Sequence, residues 1–283
     1  MISRRCSERR FFLNPSGLVF AVFGFVLAIA AKRKGLAVHA VCVLGNHYHA
    51  IVTDPHGEIG EFCRYLHEFT AKCLNMERGR WENLWSITET SRVSLEDAEA
   101  ILDKVGYTLC NPVSSWLVPR GEAWPGLRRW WADKPVKFRR PALFREAGPL
   151  PAEATLTLVP PEAFSGMDDD GVALVSAHLA EREQRLRDEA KKKSIRFLGV
   201  RRLSKQRWSD CPTSFARRMS LRPRVATRDN SRRIEALCRN KQFEIDHAEA
   251  LKAWRAGKRD AVFPFGTYKM RRLHGVSCVP PPS

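Results

Sequence analysis

The stretch from Leu36 to Thr53 constrains the fold more than any other part of the chain. Leu36 to Leu44 is an apolar run with three valines, interrupted only by His39. Such a run suits a central strand. Gly45-Asn46 is a two-residue hairpin-turn signal, so His47 to Thr53 is predicted to return as the antiparallel partner. Side chains alternate faces along a strand. His47, His49 and Ile51 therefore share one face, and Tyr48, Ala50 and Val52 the other. Two imidazoles one residue apart on one face could hold a single metal ion between them.

The segments around this hairpin are predicted as follows. Residues 2–13 form an opening strand rich in arginine. Residues 16–34 form an apolar helix, with Ser16 as its cap and Gly35 as its stop. Leu18 to Ala31 lies between Arg4, Arg5, Arg9 and Arg10 on one side and Lys32-Arg33-Lys34 on the other, the outline of a signal-peptide core. It falls short of the roughly 20 residues a membrane span needs. A strand begins directly after it, which favours a buried first helix. It is more apolar than an amphipathic helix should be. Residues 58–76 return to a helical period through Ile59, Phe62, Cys63, Leu66, Phe69, Thr70 and Cys73. Trp81 to Val93 is aromatic and β-branched enough for another strand or two.

The next helix carries the second candidate group. Ser94 is predicted to cap it, with Asp97 three residues on as a near capping box. Ala98, Ile101, Leu102, Val105 and Leu109 form one apolar stripe. At about 100° per residue, Tyr107 points about 180° from the centre of that stripe and Asn111 about 40° beyond it. Tyr107 and Asn111, four apart, are then neighbours on a polar face. Pro112 should end or kink the helix just after Asn111. Gly106 weakens it by about 1 kcal/mol relative to alanine.

Charge divides the chain. The net charge of +17 does not come from residues 1–190, which hold 24 Lys/Arg and 24 Asp/Glu. Residues 191–283 hold 24 and 7, so the whole excess lies in the last third. That asymmetry favours a polyanionic partner, most simply nucleic acid. Prolines 135, 141, 149, 151, 160 and 161 mark an irregular region before a charged helical segment at 172–193. The expected organisation is a domain over 1–130, a Pro-rich linker and charged helix over 131–190, and a basic, mainly helical extension over 191–283. Ile234, Leu237 and Cys238, then Ala248, Leu251 and Trp254, suggest one or two helices there. Phe263 to Val276 suggests a closing strand or loop. None of the eight cysteines forms a C-x-x-C pair, which argues against structural zinc and fits a reduced, cytoplasmic protein.

Two imidazoles and a side-chain amide oxygen make an incomplete coordination shell, with positions left open for a substrate oxygen. On a phosphate, an ion held that way acts as a Lewis acid. Tyrosine is a suitable nucleophile beside it, because a nearby cation lowers its phenol pKa. A phosphotyrosine ester conserves bond energy, so rejoining strands needs no nucleoside triphosphate. The chain has no G-x-x-x-x-G-K-[ST] loop.

Asn46-His47-Tyr48-His49 resembles the histidine-hydrophobic-histidine ("HUH") motif of single-tyrosine transposases. Tyr107-x-x-x-Asn111-Pro112-Val113, followed by Trp116-Leu117-Val118, resembles the tyrosine-helix pattern of the REP-associated tyrosine transposase branch. The resemblance covers about residues 1–130, and Val262 to Tyr268 resembles a C-terminal extension of some relatives. It implies an α+β, ferredoxin-like domain with an antiparallel sheet. It implies His47, His49 and Asn111 as ligands of Mg²⁺ or Mn²⁺, and Tyr107 as the nucleophile that frees a 3′ hydroxyl. The substrate would be single-stranded DNA carrying a small imperfect hairpin, cleaved and rejoined by a monomer or homodimer without a membrane.

Arg4, Arg5, Lys191, Arg201, Arg202, Arg232 and Arg233 are the candidate DNA contacts, together with Lys192, Lys193, Arg217 and Arg218. Trp208, Trp254 and Tyr268 are possible stacking platforms. The competing expectation is an inactive or domesticated relative that binds hairpin DNA without cutting it. A histidine-triad phosphohydrolase fails because position 51 is Ile. A secreted protein lacking residues 1–31 is the reading the apolar stretch alone would support.

Overall fold

A computed structural model describes the chain except residues 145–146, 215–222 and 282–283. The hairpin forms where the sequence puts it, as β2 (Ala37–Leu44) and β3 (His47–Thr53). The opening segment is shorter than expected: β1 is Ile2–Arg5, and a tight helical turn follows at Ser7–Arg9. The 81–93 stretch is largely irregular and contributes only β4 (Ser91–Arg92) and an isolated bridge from Trp85 to Cys6. With β6 (Arg128–Trp130) these strands make a five-stranded sheet in the order β4-β1-β3-β2-β6. Every pairing in it is antiparallel. The molecule is thus α+β.

Helix α1 (Gly17–Lys34) has the predicted ends, with Ser16 accepting from the Val19 amide and Gly35 closing in the left-handed region at φ 65°. It packs with α2 (Ile59–Glu77) on the Tyr48 side of the sheet, in a core with Val38, Val41, Val43, Tyr48 and Ala50. The apolar character of α1 on every side now has a cause. A second hairpin, β7 (Val136–Arg139) and β8 (Glu153–Leu156), comes out of the Pro-rich region and lies against α1. A helix apolar all round is one buried all round. Contact is close enough that a Cβ added at Gly24 would sit 2.2 Å from the Phe138 ring. Among the described residues no helix is long and apolar enough to cross a membrane.

The opposite face of the sheet carries α3 (Ala98–Leu109), with Val105 and Leu109 packed against Ala40 and Ile51. Its N-cap is Asp97, which accepts from the Ala100 amide, and not Ser94, which belongs to the short β5 (Ser94–Leu95). A carboxylate one residue before the first turn satisfies the same free amides as a serine would. The helix breaks at Cys110, one residue earlier than Pro112 suggested, and a single turn, α4 (Asn111–Ser114), follows with the proline in its first turn. That turn position needs no proline N–H. Helix α5 (Asp168–Lys192) lies over α3. The chain ends in α6 (Val200–Leu203), β9 (Val225–Ala226), one long α7 (Asn230–Arg255) and α8 (Lys269–His274). The expected closing strand is reduced to a bridge between Phe263 and Cys278. Cys6, Cys42, Cys63, Cys73 and Cys110 are buried free thiols, and burial pushes Cys42 up to about 12.

Candidate active site

Residue alternation on β3 splits two kinds of group between two environments. Tyr48 is fully buried toward α1 and α2. Arg4 Nη1 donates to His67 Nδ1 at 2.8 Å, so the imidazole proton sits on Nε2 and is donated to the Tyr48 hydroxyl at 2.7 Å. Burial pushes the Tyr48 phenol well above its ordinary value. This tyrosine is locked in the core and faces away from the histidines on either side of it.

His47 and His49 face α3. Their ring centroids are 5.0 Å apart, nearly perpendicular. Asn46 Nδ2 donates to the Arg9 carbonyl at 3.1 Å, which turns Asn46 Oδ1 toward His47 Nδ1 at 2.7 Å. An amide oxygen only accepts, so the His47 proton is on Nδ1 and the lone pair is on Nε2. His49 is 6% exposed, and neither of its ring nitrogens has a hydrogen-bond partner among the described residues. Burial, then His47, then Arg5 push His49 down to about 3. Burial and Arg5 push His47 down to about 4, with Asn111 opposing them. Both rings are therefore neutral bases at pH 7, the form that ligates metals.

Tyr107 reaches the same place from α3. Its ring is 5.1 Å from the His49 ring, edge to face, and it is 38% exposed. Asn111 is buried, lies near enough to His47 to raise its pKa, and accepts from Ser115 Oγ at 3.2 Å. The structure thus brings His47, His49, Tyr107 and Asn111 together. Among the described residues no three His, Cys, Asp or Glu side chains cluster so as to hold a metal ion. The set that fits an ion here is two imidazoles and an amide, and His49, whose ring nitrogens are both unpartnered, has one lone pair to offer it. Two clefts, of about 770 and 670 Å³, lie around Arg80, Glu82 and Asn83, and neither is lined by His47, His49 or Tyr107.

The predicted basic contacts are scattered. Arg5 pairs in register with His47, on the histidine face, and is exposed. Arg4 points away, into the Tyr48–His67 network, with its guanidinium 5.8 Å from the Trp85 ring. Arg201 and Arg202 are exposed on α6, without an ion pair among the described residues. That turn is fixed next to the site: Leu203 packs on Leu44, and the Leu198 and Gly199 amides donate to the Trp116 and Leu117 carbonyls at 2.9 Å. Lys191 is exposed at the end of α5. Arg232 and Arg233 are exposed on the first turn of α7, where Arg232 donates to the Glu96 carbonyl at 3.2 Å. Arg217 and Arg218 lie outside the described residues. Trp208 packs on Phe12, Trp254 lies under Arg259, and Tyr268 covers Gly60.

Three groups along the last turns of α3 escaped sequence reading. Lys104 Nζ is 5.9 Å from the Tyr107 ring centroid, and the i, i+3 spacing was a usable signal. Arg128 Nε donates to the Leu109 carbonyl at 2.8 Å and so caps the end of α3. His178 of α5 lies where a Cβ on Gly106 would be 2.6 Å away. The last two are tertiary contacts with no local signal, and His178 explains the glycine beside the tyrosine.

The buried imidazoles predict acid sensitivity. Burial lowers His39, His49 and His67 from their ordinary values, His49 to about 3. Above about pH 6.5 folded and unfolded chains both hold them neutral, and stability is complete. Below it the unfolded chain takes up protons that the folded one refuses. Stability then falls by up to about 1.4 kcal/mol per pH unit for each ring. In chelator, the urea midpoint should drop steadily from pH 6.5 to 5. A flat midpoint over that range would show the rings to be protonated in place.

No protein-family model matches the chain. No curated protein matches it. Among solved structures it matches a REP-associated tyrosine transposase bound to a REP hairpin, at 18% identity and a TM-score of 0.35, over 44% of this chain and 72% of that one.

Proposed function

We propose that the chain is a metal-dependent single-strand DNA transesterase of the single-tyrosine HUH kind. The observation that carries this is His49, buried with both ring nitrogens unpartnered, between His47 and a half-exposed tyrosine. A buried polar group left unpaired costs about 1–3 kcal/mol, which a ligand at that point would recover. His47 Nε2, His49 and the Asn111 amide would hold Mg²⁺ or Mn²⁺. Bound there, the ion would withdraw charge from a phosphate oxygen as a Lewis acid.

The protein's own groups do the rest. Tyr107 Oη attacks phosphorus, the bond to the 3′ oxygen breaks, and the tyrosine proton is balanced by the one gained by the departing 3′ hydroxyl. The product is a 5′-phosphotyrosine, and the reverse attack by a 3′ hydroxyl rejoins strands. Asn46 holds the His47 proton on Nδ1, keeping Nε2 free. Arg5, Arg201 and Arg202 flank the site as phosphate contacts. On this reading the order β4-β1-β3-β2, with α1 between β1 and β2 and α2 after β3, is a ferredoxin-like arrangement extended by β6. The partner is single-stranded or hairpin DNA in the cytoplasm.

The test is covalent capture. The protein is incubated with a pool of labelled single-stranded hairpin DNAs and Mn²⁺, then run on a denaturing gel. Label that travels with the protein, and only with the metal present, supports the reading. Salt-sensitive DNA binding without an adduct would leave a hairpin-binding protein in its place.

A further inference from the structure

Part of the basic third is bound to acidic side chains of the chain itself. Its β9 pairs in parallel with β5, directly ahead of the tyrosine helix, through Ser94 N to Arg224 O at 2.8 Å and Glu96 N to Ala226 O at 3.2 Å. Thr227 Oγ1 donates to the carboxylate of Asp97, the N-cap of α3. Arg228 pairs with Glu99, and Arg239 with Glu96. Arg232 donates to the Glu96 carbonyl. Every acidic side chain at the start of α3 thus has a partner from residues 227–239. The far end of α7 is also held. It packs with Phe263, Met270 and Val276, and Arg271 and Arg272 pair with Glu58 and Glu61 at the start of α2.

We propose that Thr227, Arg228 and Arg239 are positioning residues, which fix the start of α3 so that Tyr107 meets the histidines. The inference rests on the transesterase reading. Tyr107 lies ten residues beyond Asp97, so about 15 Å along the axis, and a tilt of about 4° at the base carries the phenol about 1 Å. A displacement of that size can cost about a hundredfold in rate. Exposed ion pairs contribute little to stability one at a time. Their value here is direction: two arginines and a hydroxyl on three neighbouring carboxylates, beside a backbone ladder, leave the helix start little freedom. A phosphate would have to displace a carboxylate to reach Arg228 or Arg239.

Charge exchange tests it. Glu96→Arg, Arg239→Glu and the double variant are compared for DNA affinity and for the rate of adduct formation at saturating hairpin DNA with Mn²⁺. Each single variant should slow the adduct about tenfold or more with affinity kept, and the double should return to within about twofold of the parent. Thr227→Val, a change too small to unfold the chain, should slow the same step. Single variants as fast as the parent would overturn the inference while leaving the reaction standing. So would Arg239→Glu losing DNA affinity without rescue in the double, which would make Arg239 a DNA contact. A parent that forms no adduct on any hairpin would remove the transesterase reading, and the inference with it. Hydrogen exchange in the first turn of α3 gives a readout apart from chemistry: faster in each single variant, restored in the double.

Discussion

Tyr107→Phe is expected to stay folded and to bind DNA as the parent does, yet to form no covalent adduct. The ring remains to pack on His49 at the observed 5.1 Å, and only the hydroxyl is lost. That hydroxyl belongs to a half-exposed side chain, so stability should change by no more than about 0.5 kcal/mol. On the proposed function the hydroxyl is the nucleophile, so the adduct should fall by at least about a thousandfold. Tyr48 cannot stand in. It is on the other face of β3, fully buried, with its phenol pushed up by burial and its oxygen bonded to His67. An adduct that survives Tyr107→Phe would mean that a different group attacks, and the site would have to be moved.

Phe138→Ala should be the most damaging substitution away from the site. The ring is buried between α1 and its own hairpin, beside Phe20 at 5.4 Å. Truncation costs about 3–5 kcal/mol, or roughly 6–20 °C in melting temperature for a chain of this size. Gly24→Ala alone should also destabilise, since its new methyl would meet that ring. In the Phe138→Ala background the same methyl enters the vacated space, so the pair should be less harmful than the two effects summed. Strict additivity in thermal melts would refute this contact as the reason for the glycine.

Those two residues also show where sequence reading stops. The hairpin at 36–53 was legible because a β-turn signal and a two-residue period are local properties. The faces of His47, His49 and Tyr48 followed from alternation, and the exposed side of Tyr107 followed from the helical period. Helix ends were legible to within a residue or a few: Asp97 replaced Ser94 as cap because either side chain can accept from the same amides, and the break moved from Asn111 to Cys110. What covers α1 was not legible. A helix apolar on all sides demands a cover, but nothing local says that β7 and β8, from a proline-rich stretch, supply it. The basic third was legible as charge alone. Whether an arginine stays without an ion pair or meets a carboxylate depends on tertiary placement, and Arg201 and Arg239 differ in nothing the sequence displays. Arg4 and Arg5 differ only by strand parity, which the sequence contains once β1 is paired with β3.

The two-sided use of β3 has a consequence for how the chain avoids error while folding. Sliding this strand by a single position would turn both imidazoles toward α1 and α2 and a phenol toward α3. In many strands such a mistake exchanges one apolar residue for another and is only mildly penalised. Here it would strip the Tyr48 hydroxyl from His67, leave the His67 Nε2 proton without its acceptor, and bury two nitrogen bases among α1 and α2. The same tyrosine that takes no part in chemistry therefore acts as a proofreader of alignment. A protein assembled in the wrong frame would be one that cannot complete its core at all, so molecules that are folded but misaligned at the histidines should be scarce.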